Sequence, residues 1–173
     1  MTNKLISLIA TVLVLVSINN AHAQIINFNI VNDTSDSRYV IHTDGTVTDI
    51  VTGLMWQQCS LGQTGSDCSF GSATKLTWQG ALELAENNTT ASYTDWRVPN
   101  IKELLSLVAY DRYAPSINSV AFPNTKSDRY WSSSPYADYN SGSRQVSFLS
   151  GHGFYNFRYL IEDDYVRLVR SGQ

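Results

Sequence analysis

The stretch Asp95-Trp96-Arg97-Val98-Pro99-Asn100-Ile101-Lys102-Glu103-Leu104-Leu105 decides how this chain folds. Pro99 fixes its own φ and holds Val98 extended, so a helix cannot begin earlier. Asn100 is placed to accept the first free amides, and Glu103, three residues on, can reach back to the cap's own amide. Ile101, Leu104, Leu105 and Val108 then fall on one apolar stripe at helical spacing. A second stripe lies upstream in Trp78, Ala81, Leu82 and Ala85, with Thr77 as its N-cap and Asn87-Asn88 as its stop.

Strand signals surround this pair of helices. Tyr39-Val40-Ile41 and Val47-Thr48-Asp49-Ile50 flank His42-Thr43-Asp44-Gly45-Thr46, and Asp-Gly between β-prone runs predicts a hairpin. Leu54-Met55-Trp56-Gln57 follows the turn at Thr52-Gly53. Beyond Tyr110, residues 111–128 carry Pro115 and Pro123 and read as an ordered irregular loop. Tyr130-Trp131-Ser132-Ser133-Ser134 reads as a strand stopped by Pro135, and Gln145-Val146-Ser147-Phe148 alternates as a strand does. Gly151-His152-Gly153 is a turn, with residues 154–160 as a returning strand. In residues 165–170, Val166 and Leu168 share one face while Arg167 and Val169 share the other. Helices in the middle and strands at both ends make an α+β order.

The N-terminus predicts export. Lys4 precedes an apolar run over residues 5–18, broken only by Ser7, Thr11 and Ser17, and Ala21-His22-Ala23 supplies the small residues of a cleavage site. A spanning helix needs about 20 apolar residues, more than this run offers. Residues 1–23 are therefore expected to be a signal peptide, and no anchor signal is expected at the other end. Residues 24–38 are read as a polar lead-in and residues 39–173 as a single domain. Lys4 aside, the 12 basic residues fall to 11 against 15 acidic ones, a net charge of −4. That balance argues against a nucleic-acid partner. The expected location is secreted or periplasmic, with no membrane span in the mature chain.

Cys59 and Cys68 are the two cysteines of the sequence. In an exported chain such a pair is expected to form a disulfide and close the Gly- and Ser-containing loop between them. A metal site would need further soft ligands nearby, and none is visible.

Val47-Thr48-Asp49, Val51-Thr52-Gly53-Leu54-Met55-Trp56-Gln57, Thr77-Trp78 and residues 95–104 together resemble the Lcl C-terminal domain family. Tyr130-Trp131-Ser132-Ser133-Ser134 and Tyr165-Val166-Arg167-Leu168-Val169-Arg170 complete the pattern in order. This bacterial family, of largely unknown function, is named for the globular end of a collagen-like adhesin associated with sulfated polysaccharides. The aromatic-led helix, the Arg-x-Pro approach to the next helix and the closing Val-Arg-Leu-Val-Arg are also similar to the formylglycine-generating enzyme group. The resemblance implies a C-type-lectin-like α+β fold, with two helices packed on short antiparallel strands and long ordered loops.

What the fold carries is a separate matter, because sites are grafted on folds. The formylglycine-generating group uses cysteines late in the chain, and this sequence has none there, so no catalytic residue is assigned. His42 and His152 stand outside any nucleophile motif. The lectin likeness raises calcium as a cofactor, with Asp138, Asn140, Glu162, Asp163 and Asp164 as oxygen-rich candidates. The sugar-binding triplets Glu-Pro-Asn and Trp-Asn-Asp are absent. Arg144, Arg158, Arg167 and Arg170 could meet an anionic polymer, but Arg97 and Arg167 sit in family motifs beside core residues and read as structural contacts. The ligand candidates are Tyr136, Tyr139, Asn140, Arg144, Tyr155, Asn156 and Arg158, whose rings, amides and guanidinium groups suit a glycan or a protein surface. Loops 111–129 and 135–158 are the expected recognition surface. Trp56, Trp78, Trp96 and Trp131 are assigned to the core. The reading is an exported binding module for an extracellular or envelope ligand, with an enzyme or a structural accessory domain as alternatives.

Overall fold

In the computed structural model, which describes residues 24–136, 143–154 and 163–172, the Asp44-Gly45 turn joins two strands as its chemistry requires. Gly45 sits at φ +84°, a conformation that side chains resist, and Asp44 Oδ1 accepts from the Thr46 amide and hydroxyl. In chain order the strands are β1 (Ile25–Ile26), β2 (Tyr39–Ile41), β3 (Thr46–Asp49), β4 (Leu54–Gln57), β5 (Gln63–Thr64), β6 (Phe70–Gly71) and β7 (Lys75–Leu76). The helices α1 (Trp78–Glu86) and α2 (Ile101–Leu105) follow. The rest are β8 (Arg112–Tyr113), β9 (Arg129–Pro135), β10 (Ser143–Ser147), β11 (Gly153–Phe154), β12 (Asp164–Tyr165) and β13 (Val169–Ser171).

The fold is α+β and built mostly of short antiparallel strands. One sheet runs β13-β4-β3-β2 and another β11-β10-β9-β12-β7, in which β12 and β9 are the one parallel pair among the described residues; β1-β8 and β5-β6 are separate pairs. Residues 165–170 pass from one main sheet to the other, so they do not form the single closing strand the alternation predicts. The alternation itself holds. Val166 and Leu168 enter a core with Met55, Ala81, Ala85, Trp96, Val98 and Trp131, whereas Val169 enters the other with Trp56, Leu104, Phe122 and Tyr130.

The helix caps form as read. Thr77 Oγ1 accepts from the Gly80 amide, and Asn100 and Glu103 make both halves of a capping box. Helix α2 stops three residues short of Val108, however. The Ser106 hydroxyl turns back to the Glu103 carbonyl, and Val108 bridges to Ile117 instead of continuing the helix. Val108 keeps its apolar role by burial in the same core.

The loop over residues 111–128 is more interior than its composition suggests. Ile117, Ala121 and Phe122 are buried, and Asn118 caps its own loop while donating to the Thr34 carbonyl and Asp36 Oδ1. The lead-in is stitched to that loop. Gln24 Nε2 donates to the carbonyls of Pro115 and Ile117, and β1 pairs with β8. Trp56, Trp96 and Trp131 are buried, and Trp78 packs against the second core. Among the described residues no helix is long and apolar enough to cross a membrane.

Candidate functional site

The disulfide Cys59–Cys68 forms, with its Cα atoms 5.3 Å apart. Its loop is held to the body by several bonds. The Leu61 amide donates to the Val166 carbonyl, Gln63 Nε2 donates to the Cys68 carbonyl, and Asn124 Nδ2 donates to the Asp67 carbonyl. So tethered, the loop stands opposite the β2–β3 turn, and a cleft of about 650 Å³ opens between them. The turn supplies one wall from Ile41 to Gly45, the cystine loop supplies the other from Leu61 to Ser66, and residues 57–60 make the floor. Asn88 and Thr90, just past α1, close one end. There Asn88 Oδ1 accepts from Gln57 Nε2 and from the Thr90 amide, which ties the end of the helix to the floor.

The floor is fixed from behind by a buried cation. Arg167 is wholly buried, and its Nη1 donates to the main-chain carbonyls of Gln57 and Gln58. Nη2 reaches Thr125 Oγ1 at 2.8 Å and Ser60 Oγ at 3.3 Å, and the guanidinium carbon lies 4.8 Å from the Phe122 ring centroid. No carboxylate among the described residues pairs with it. Burial pulls the guanidinium down to about 10, against an opposing pull from the neighbouring Tyr130, so it stays charged at neutral pH. Burial likewise pushes the Tyr130 phenol up, while Arg167 and a 2.7 Å bond with Ser60 Oγ work against that.

Gln58 is the floor residue this arrangement singles out. Its amide donates to the Gly45 carbonyl and its carbonyl accepts from Arg167, so the backbone is held on both sides. The residue is 3% exposed and lines the cleft, yet its side-chain carboxamide hydrogen-bonds to no described residue. The titratable side chains along the cleft are His42 and Asp44. His42 Nε2 lies 2.9 Å from Thr48 Oγ1, and among the described residues no carboxylate orients the ring.

The residues singled out from sequence fall elsewhere. Tyr139, Asn140, Tyr155, Asn156 and Arg158 lie outside the described residues, as do the calcium candidates Asp138 and Glu162. Tyr136, after the end of β9, and Arg144, in β10, are half-buried. Asp163 is exposed, whereas Asp164 is buried 3.9 Å from Arg129 Nε. Among the described residues no three acids, histidines or cysteines cluster so as to hold a metal ion. Two of the C-terminal arginines, Arg167 and Arg170, make structural contacts. Arg167 is internal, and Arg170 Nε bonds Asp95 Oδ1 at 2.7 Å with its guanidinium 3.9 Å above the Tyr93 ring. Arg97 makes a two-pronged pair with Glu103, both bonds 2.7 Å.

Sequence reasoning found both cleft walls, the Asp-Gly hairpin and the cystine loop, but not that they face one another. Gln58 left one faint trace, as a second glutamine after a strand and directly before the first cysteine. Neither the curated proteins nor the solved structures provide a match to the chain. Residues 45–170, well over half of its length, match the Lcl C-terminal domain, and the protein belongs to that family.

Proposed function

We propose that this chain is an exported binding module, secreted or periplasmic, that holds an extracellular or envelope ligand on a C-type-lectin-like scaffold. The cleft between the β2–β3 turn and the cystine loop carries this reading. It is a concave site of a size that accepts a small molecule or one end of a polymer. Its walls are a tight hairpin turn and a covalently closed loop, so little order has to be gained when a ligand enters. The hydrogen-bonding groups around it come mainly from uncharged side chains, a composition suited to holding rather than transforming. An enzyme would need a nucleophile, a base and an orienting acid brought together, and among the described residues the cleft's His42 bonds a threonine hydroxyl and no carboxylate.

The full exported chain, applied to a glycan array and to envelope fractions with and without calcium, tests this reading. Saturable binding to a glycan or an envelope component is the expected result. Absence of binding to every glycan and every fraction, at all calcium levels, overturns it.

A further inference from the structure

The carboxamide of Gln58 has no hydrogen-bond partner among the described residues and is not sealed from solvent. An amide that meets the outside only through a cleft, with no partner inside the protein, keeps its hydrogen-bonding capacity for what enters that cleft. Gln58 is 3% exposed, and no described residue bonds to its side chain. Gly45 and Arg167 hold its main chain from both sides, which fixes where the side chain starts. The little surface it keeps opens on the cleft. The amide is therefore a group whose partner comes from outside the chain.

We infer that the cleft is a site for an uncharged saccharide, and that Gln58 recognises it by taking two neighbouring hydroxyls of one sugar ring. This inference rests on the binding-module reading and names its ligand class. A carboxamide offers one acceptor and one donor side by side in a plane. Two adjacent ring hydroxyls answer it, one donating to Oε1 and the other accepting from Nε2. Around Gln58 the cleft presents Thr43, Thr64, Ser66 and Thr90, hydroxyl bearers that can donate or accept as a polyol requires. Ile41 and Leu61 offer aliphatic surface to the C–H face of a ring. Among the described residues no lysine or arginine lines the cleft, and Asp44 stands at its turn, so a sulfate or carboxylate would meet no counter-charge from them. Water fills such a space when it is empty, and a sugar hydroxyl can replace a water at Gln58 with its hydrogen bonds kept.

Calorimetric titration of the full exported chain with neutral hexasaccharides of glucose, mannose and galactose, beside a sulfated hexasaccharide, tests the assignment. Binding of at least one neutral oligomer is expected. Gln58→Leu should weaken it by about tenfold or more, the loss of one or two hydrogen bonds, while the unfolding temperature is unchanged or higher. That pairing of outcomes separates a recognition group from a structural one, since a structural glutamine would lower the unfolding temperature when removed. Undiminished neutral-sugar binding by Gln58→Leu overturns the role of Gln58. Tighter binding of the sulfated oligomer overturns the ligand class yet leaves the binding-module reading standing. If no hexasaccharide binds while an envelope protein does, the saccharide assignment fails alone. If nothing binds, both readings fail.

Discussion

The guanidinium of Arg167 donates to the main-chain carbonyl of Gln58, so a cation wholly inside the protein sets the position of the residue that faces the cleft. The same fork holds the Gln57 carbonyl and Thr125 Oγ1, and thereby joins the last segment of the chain, the cleft floor and the loop before β9.

Arg167→Met should destabilise the protein by about 2–4 kcal/mol, because two carbonyls and a threonine hydroxyl lose their donor inside the core. Arg167→Lys should recover little of this. A single ammonium cannot span acceptors set for a planar fork, and burial disfavours its charged form. Urea denaturation of both variants against the parent checks the expectation.

The Arg38–Asp49 pair predicts how stability falls in acid. Both side chains are buried, with Nε and Nη2 of Arg38 bonding the two Asp49 oxygens at 2.8 and 2.6 Å. Burial alone would raise the Asp49 carboxyl, but bonds from Arg38 and Thr52 outweigh it and hold it below the usual range. A carboxyl depressed in the folded state stabilises fully above its unfolded value of about 4, and that contribution is lost as pH falls through the folded value. Asp49→Asn should therefore cost about 3 kcal/mol at pH 7, with the gap to the parent narrowing below pH ~4. Urea midpoints measured from pH 7 down to pH 2.5 check both the size and the sign.

The capping box of α2 should be worth more than the ion pair beside it. Asn100→Ala removes the acceptor for the Lys102 and Glu103 amides and should cost about 1 kcal/mol. The Arg97–Glu103 pair is partly solvated, with Arg97 44% exposed, so Arg97→Gln should cost about 0.5 kcal/mol or less. Thermal unfolding of the two variants ranks them.

How far these features could be read in advance follows from how local they are. Asn100 and Glu103 are three residues apart, Thr77 adjoins its helix, and Cys59 and Cys68 are nine apart, so each was legible from short-range chemistry. The end of α2 was not, because Val108 is claimed by Ile117 across a loop. Ile117 and Phe122 fill the core from a segment without periodicity, where spacing carries no signal. The cleft joins residues 41–45, 57–66 and 88–90, and Gln58 is fixed by an arginine 109 positions later. No local pattern encodes such a meeting.

Opening the cystine should weaken both the fold and the cleft. Cys59→Ser with Cys68→Ser frees a short loop, and chain entropy predicts a loss of about 2–3 kcal/mol. That loop forms a whole wall of the cleft, so binding should weaken even where the protein remains folded. Urea denaturation together with a binding titration at low temperature checks the two effects separately.

The most direct measurement follows the amide signals of the isotope-labelled chain as a neutral hexasaccharide is added. The side-chain NH2 resonances of Gln58 should shift together with the backbone amides of Gly45, Thr64 and Ser66. Shifts confined to Tyr136, Arg144 and their surroundings, with Gln58 unmoved at saturation, would contradict the account.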